Sequence, residues 1–302
     1  MTAPDVDPPE SERLVRPAGR PGRRRQFDRV VGWLLPLLFL PVLFPIVDLF
    51  YWVGSRALPT LTWTVLTTNP TGASGGLFGP LVGSLEILGL STGIAATIGI
   101  ASAIVIAEYA SPRVQELARL GTNLLAGVPS IVIGYFGYFV LVFYFGWGAS
   151  LLAGAVTLAI FVLPYVMRSA DLALSSVPSS LREAALGAGA SRGQYLGRVG
   201  LFVALPGILN GVFLSMAIGL GETAPLLYTA FFSNYPPTGL LQPTGYLTGL
   251  IWNYYDQPTT FGTEVTLAFQ AAFLLMVIVI ALNVVIRLVG EWHARRVRGM
   301  YL

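Results

Sequence analysis

Two polar breaks inside apolar runs carry the groups in this sequence that could act on a solute: "GVPS" at Gly127–Ser130 and "GETAP" at Gly221–Pro225. The first offers the Ser130 hydroxyl. The second offers the Glu222 carboxylate and the Thr223 hydroxyl, and a third group, Arg168, follows the apolar "LPYVM". Covalent chemistry is not what this set supplies. The chain has no cysteine and no lysine, and its one histidine, His293, stands in a basic stretch where it is read as solvated. Thiolate nucleophiles and thiolate metal sites are excluded, and no catalytic residue and no metal ligand set is expected. No phosphate-cradling G-x-x-x-x-G-K-[ST] occurs either, so the chain is not expected to hydrolyse ATP by itself. The breaks instead suit reversible contact with something passing. Gly and Pro are tolerated in a membrane helix only where neighbours satisfy the freed backbone groups, which marks both breaks as candidate pathway segments. Close helix packing through small residues is the alternative.

The elements that must hold these groups follow from composition. With 54% hydrophobic and 11% charged residues among 302, the chain is far more apolar than a soluble domain. Crossing a bilayer core of about 30 Å as helix takes roughly 20 apolar residues. Six runs qualify: Val30–Val53, Val82–Ala107, Leu120–Phe145, Leu151–Met167, Leu205–Phe231 and Val265–Val289. The "GVPS" break interrupts the third and "GETAP" the fifth. With the N-terminus inside, Arg56 is the single arginine expected outside, and the other seventeen of the eighteen fall inside. Both termini and the segment Arg182–Arg198 are thereby predicted to be cytoplasmic. The scattered arginines give no nucleic-acid-binding patch; the bilayer is the partner they imply.

The expected organisation is a disordered basic cytoplasmic tail over residues 1–29, a six-helix membrane domain over 30–290, and a second basic cytoplasmic tail over 291–302. The Pro- and charge-rich start cannot bury a core. Outside, Gly54–Pro80 is rich in turn formers, and Ser233–Gly262 is long enough for short surface helices where an external protein could dock.

The loop 169–198 is the longest inner connection. Its centre, "VPSSLREAALGAGAS", reads as a short helix capped by Ser179 or Ser180, with Glu183 in its first turn and Gly189 at its end. Ala184, Ala185, Ala188 and Ala190 leave little side-chain bulk, so another protein's groove could admit this surface closely. Leu181 and Leu186 give too small an apolar face to hold it on a bilayer.

This loop resembles the cytoplasmic signature of the membrane subunits of binding-protein-dependent ABC importers: Glu183-Ala184-Ala185, three residues, Gly189, nine residues, then Val199 and Leu201. Phe202 stands where that family usually has Pro, and Gly193 where close relatives often have Trp. "IAEYAS", "AGVPSIVIGYFGY", "LPYVMRS" and "GETAPLLYTA", in that order, narrow the resemblance to phosphate-specific importer permeases of the PstA type, over about residues 30–300. The resemblance implies an all-α polytopic type I (MetI-like) permease fold in a bacterial or archaeal cytoplasmic membrane. It implies a coupling helix, with Glu183, Ala184, Ala185 and Gly189 seated in a cleft of an ATPase subunit. It also implies partners: a second homologous permease, two ATPase subunits that hold ATP-Mg, and an external phosphate-binding protein, with no cofactor on this chain. Arg168, Ser130, Thr223 and freed backbone N–H groups would then contact an oxyanion on its way, while Glu222 would gate, paired in one state with Arg168 or with an arginine of the second permease. Close relatives usually carry Arg four residues before that Glu, whereas this chain has Ile218. A permease for another oxyanion or small solute remains an alternative. A self-sufficient secondary transporter or channel is another, and it gives no reason for the Glu183 loop.

Overall fold

The computed structural model describes residues 21–71, 74–256, 258 and 262–298. The chain divides into two units, 1–52 and 53–302. The described part of the first is the opening stretch of helix α1 (Pro21–Ala57). Residues 1–20 of the expected tail lie outside the described residues, but 21–29 are helical. "RRRQFDR" contains no helix breaker, so the turns that precede the apolar run continue it. The second tail is likewise helical to Arg298.

In the second unit the chain passes a short helix α2 (Trp63–Thr67) and a two-residue hairpin pairing Pro70–Thr71 with Ser74–Gly75. It then enters α3 (Phe78–Ile104), which widens into π-helical turns at Val105–Tyr109. There follow α4 (Pro112–Ala126) and α5 (Ser130–Gly137), the latter prolonged by π-helical turns at Tyr138–Tyr144. Helix α6 (Leu151–Ser175) leads to the short α7 (Ser179–Gly187) and α8 (Arg192–Tyr195). The last elements are α9 (Leu201–Gly221), α10 (Ala224–Thr229), α11 (Leu247–Asp256) and α12 (Thr263–Arg298).

Among the described residues five helices are long and apolar enough to cross a membrane, or six if the pair α4 and α5 counts as one span. That pair corrects the third expected run. The helix starts at Pro112 instead of Leu120 and turns by 93° at Gly127–Pro129. Pro129 disfavours helical backbone at Val128 and supplies no N–H of its own. The fifth run breaks at "GETAP" as expected, since α9 stops at Gly221 and the chain restarts as α10 at Ala224.

Helix α6 is the hub. In its most apolar stretch 61% of residues are buried, against 33% or less in the other four long apolar helices. Its buried Leu158, Val162 and Val166 meet Ile87 and Ala95 of α3, Ile133 of α5 and Leu226 of α10. The end that leads to α7 is built from small residues, Ala103, Ala170, Ala173 and Ala204, which bring α3, α6 and α9 close. At the opposite end Leu77, Leu247, Leu250, Leu267 and Ala271 seat α11 on α12. Helix α11 falls within the expected outside segment Ser233–Gly262, but its first turn is buried, at Leu247, Thr248, Gly249 and Leu250.

Candidate functional site

The two broken helices meet. A Cβ added to Gly134 of α5 would lie 2.8 Å from Pro225 Cα and 2.9 Å from the Ala224 carbonyl oxygen, so the packing of α5 on α10 requires glycine at that position. Helix α5 begins at Ser130, directly after "GVPS", and α10 begins at Ala224, inside "GETAP". The structure therefore places Ser130 and Glu222 near one another at this junction.

The backbone opened by the second break is satisfied from outside the helix. Glu222 leaves helical geometry at φ −78°, ψ 130°. Its carbonyl accepts a 3.0 Å hydrogen bond from Thr248 Oγ1 of α11. Thr223 takes the N-cap position of α10; its carbonyl accepts from the Leu226 and Leu227 amides at 3.1 Å, and its hydroxyl makes no capping bond. At the far end of α10 the Thr229 carbonyl accepts from the Ser150 amide at 2.8 Å. Tyr228 and Tyr135 stand edge to face beside this junction, 6.3 Å between centroids, and Tyr138 follows Tyr135 at 6.4 Å. All three rings are exposed on one side of the chain.

Arg168 does not join this group. Gly219, just before the break, lies level with Leu158 and Val162 of α6. Arg168 is six residues further along, about 9 Å at 1.5 Å per residue. It lies near the α7 end, in a cavity of about 270 Å³ lined also by Arg119, Asp171, Asn123 and Ser175. Within this chain no Arg168–Glu222 pair forms. Ile218 packs against the core cluster around Leu158 and Val162.

Helix α7 forms where the sequence places it, but its N-cap differs. Pro178 holds the N-cap position in an extended conformation, φ −56°, ψ 132°, and no side chain caps the helix. Ser179 and Ser180 are already inside it. A capping hydroxyl has to sit on the extended residue itself, and the helix starts one residue too early for either serine. Glu183 consequently falls in the second turn, not the first. The other end is as expected. Gly189 adopts φ +86°, its amide donates to Leu186 O at 3.0 Å, and Ala190 donates to Ala185 O at 3.1 Å, closing a Schellman motif. Glu183, Ala184, Leu186 and Gly189 are exposed, with Ala185 half-buried. A Cβ on Gly189 would meet nothing within 4 Å.

Three residues that sequence reasoning left without a role tie these parts together. Glu108, in the π-helical end of α3, pairs with Arg182 of α7 at 3.1 Å, with side chains 9% and 37% exposed. The contact is an ion pair without aligned hydrogen-bond geometry at Glu108 Oε2. Arg119 of α4 is bidentate on Asp171 of α6, Nε to Oδ2 at 2.8 Å and Nη2 to Oδ1 at 3.1 Å. Thr248 closes the break at Glu222. An available signal was the acid in "IAEYAS", an ionisable residue at the end of a span that is costly there unless paired.

Comparison with known proteins adds to this geometry. A family model for the binding-protein-dependent transport system inner membrane component matches residues 95–299. The phosphate transport system permease protein PstA 2 of Mycobacterium bovis is 38% identical over 295 residues, covering 95% of this chain and 97% of that one. The phosphate transport system permease protein PstA of Haemophilus influenzae is 35% identical over 241 residues, 78% of this chain and 83% of that one. In fold the chain is similar to a chain of the inward-facing MetNI methionine ABC transporter, with TM-score 0.55 and 20% identity over 70% of this chain and 97% of the other.

Proposed function

The chain belongs to the binding-protein-dependent transport system inner membrane components, and on that premise we propose that it imports inorganic phosphate as one of two permease subunits lining a shared pathway. It is a multi-pass membrane permease of an ATP-driven importer, and in such systems ATP hydrolysis belongs to separate subunits. The observation that carries the choice of substrate is the end-to-end similarity to PstA 2, which covers 97% of that permease.

The proposed machine assigns a task to each part. Helix α7 enters a cleft of an ATPase subunit with Glu183, Ala184 and Ala185, and Gly189 ends the helix at its rim. The α11 side meets an external phosphate-binding protein. The junction of α5 and α10 faces the second permease, and its broken helix ends expose Ser130 and Thr223 as neutral donors to the passing anion. Glu222 repels that anion when ionised, so it acts as a gate: paired with a cation of the second permease in one state and held by Ser130 in the other. Arg168 receives the anion at the α7 end. Both termini and α7 are cytoplasmic in this scheme. A single cysteine at position 185 of this cysteine-free chain is then labelled from outside intact cells only if the orientation is wrong.

Reconstitution with candidate ATPase and binding-protein partners tests the assignment through ATP-dependent uptake of labelled phosphate against sulfate and molybdate. Preference for sulfate or molybdate would reassign the substrate. Ile218 in place of arginine is the feature that favours this second reading, another oxyanion carried by the same machinery.

A further inference from the structure

Helices α9 and α12, two of the membrane-length apolar helices, leave a groove between them near the α7 end. Pro206, Leu209 and Phe213 line it from α9 and Ile286 from α12, while Gly290 takes bulk away from the second wall. None of these residues is buried, so the groove opens on the surface of the chain. Its volume of about 240 Å³ is below the roughly 300–1,000 Å³ of pockets that enclose a drug-sized ligand. An extended hydrocarbon segment suits it better than a compact solute.

The groove has one polar lining side chain, Asn210. It is exposed, and its amide makes no hydrogen bond among the described residues. An unpaired amide facing hydrocarbon is costly, so the site calls for an acceptor inside the groove. A charge stands at the rim as well. Arg287 follows Ile286, is exposed, and makes no ion pair or hydrogen bond among the described residues. Arg198, about 12 Å before Pro206 at 1.5 Å per residue, is a second exposed and unpaired arginine at this end. A helix of another subunit accounts for the apolar walls alone. An anionic phospholipid supplies a chain for the walls, an ester carbonyl for the amide and a negative headgroup for the arginines, which is how basic groups between membrane helices recognise lipid.

We propose that the groove between α9 and α12 binds one anionic phospholipid of the leaflet at the α7 end, with an acyl chain along Pro206, Leu209, Phe213 and Ile286, an ester carbonyl on the Asn210 amide and the headgroup on Arg287. Arg198 adds to the positive field that draws the lipid there. The site requires only that the chain spans a membrane, so it is independent of which solute the permease carries.

The test uses the full chain assembled with its partner subunits in phosphatidylcholine discs. One sample contains a little phosphatidylglycerol with a photoreactive diazirine in its acyl chain, and a parallel sample the matching phosphatidylcholine. Peptide mapping locates the adducts. At equal mole fraction the phosphatidylglycerol probe should modify the Pro206–Phe213 stretch and the neighbourhood of Ile286 about fivefold more, the ratio that about 1 kcal/mol from one arginine gives. Arg287→Gln should lose most of that preference, and Arg287→Lys should keep much of it. Gly290→Leu, where an added Cβ meets nothing within 4 Å, fills the groove and should lower labelling by both lipids. Size-exclusion chromatography checks the assembly of each variant. Equal labelling by the two lipids, or a preference undiminished in Arg287→Gln, overturns the proposal. Absence of adducts from both lipids overturns it too, and a cross-link from Leu209→Cys to another subunit then assigns the groove to a protein partner.

Discussion

Glu108 and Arg182 join the α7 helix to the end of α3 across 3.1 Å, with the carboxylate almost fully enclosed and the guanidinium partly in solvent. Since α3 and α6 pack side by side as the centre of the bundle, a displacement of α7 has a charged link to the core besides its covalent one. Glu108→Gln should leave ATP hydrolysis by the assembled complex largely intact while lowering transport per ATP. A double-mutant cycle with Arg182→Gln should return a coupling of about 1 kcal/mol or less, because the guanidinium is solvent-screened. Equal loss of hydrolysis and transport would make the pair a plain stability contact.

Space around Gly189 is open in this chain, so a bulky residue there offends nothing the chain itself contains. Gly189→Arg is expected to insert and fold yet abolish uptake by failing to seat on the ATPase. Gly189→Asn separates bulk from strain, since Asn tolerates the left-handed backbone that φ +86° demands. It should keep most of the activity. If Gly189→Arg pulls down the ATPase subunit as well as the native chain does, the seating model is wrong.

Removing the charge of Glu222 tests the gate. Glu222→Gln keeps size and hydrogen-bonding capacity, so assembly should survive. Phosphate uptake should fall by about tenfold or more, about 1.4 kcal/mol lost from a switching step. Native-like uptake from pH 6 to 8 would reduce the residue to a structural role. Thr248→Val, which leaves the Glu222 carbonyl without its 3.0 Å donor, should destabilise the junction by about 1–3 kcal/mol in thermal unfolding of the complex.

Two glycines give a packing control. Gly134→Leu forces side-chain atoms into the Ala224–Pro225 backbone and should cost about 1–3 kcal/mol or more, read as a lowered unfolding midpoint with uptake lost in parallel. Gly121→Ala, where an added Cβ meets nothing, should be neutral or slightly stabilising, because alanine is the better helix former by about 1 kcal/mol. A fully stable Gly134→Leu would show that α5 and α10 are not packed as described.

The spans were legible because apolar runs of membrane length are a one-dimensional signal, and both breaks were legible because Gly and Pro punctuate locally. The 93° turn between α4 and α5 was not, since a bent pair and a straight helix share the same composition. The N-cap of α7 failed on a single residue, with Pro178 taking the place given to Ser179 or Ser180. The site was half visible. Ser130, Glu222 and Thr223 were named from the breaks, but nothing local says that residues 92 positions apart share one junction, or that Arg168 stands away from it. Glu108 with Arg182 and Arg119 with Asp171 are pairs of the same kind: their meaning lies in contacts between segments 74 and 52 residues apart.

The corner between α4 and α5 has a mechanical consequence. Two rods fixed at 93° form a crank, so twisting α5 about its own axis swings α4 through an arc. At 1.5 Å per residue the 15 residues of α4 make an arm of about 22 Å, and a 10° twist moves its tip by about 4 Å. The bidentate clasp of Arg119 on Asp171 sits about midway along that arm. Any such swing would have to stretch or break that clasp.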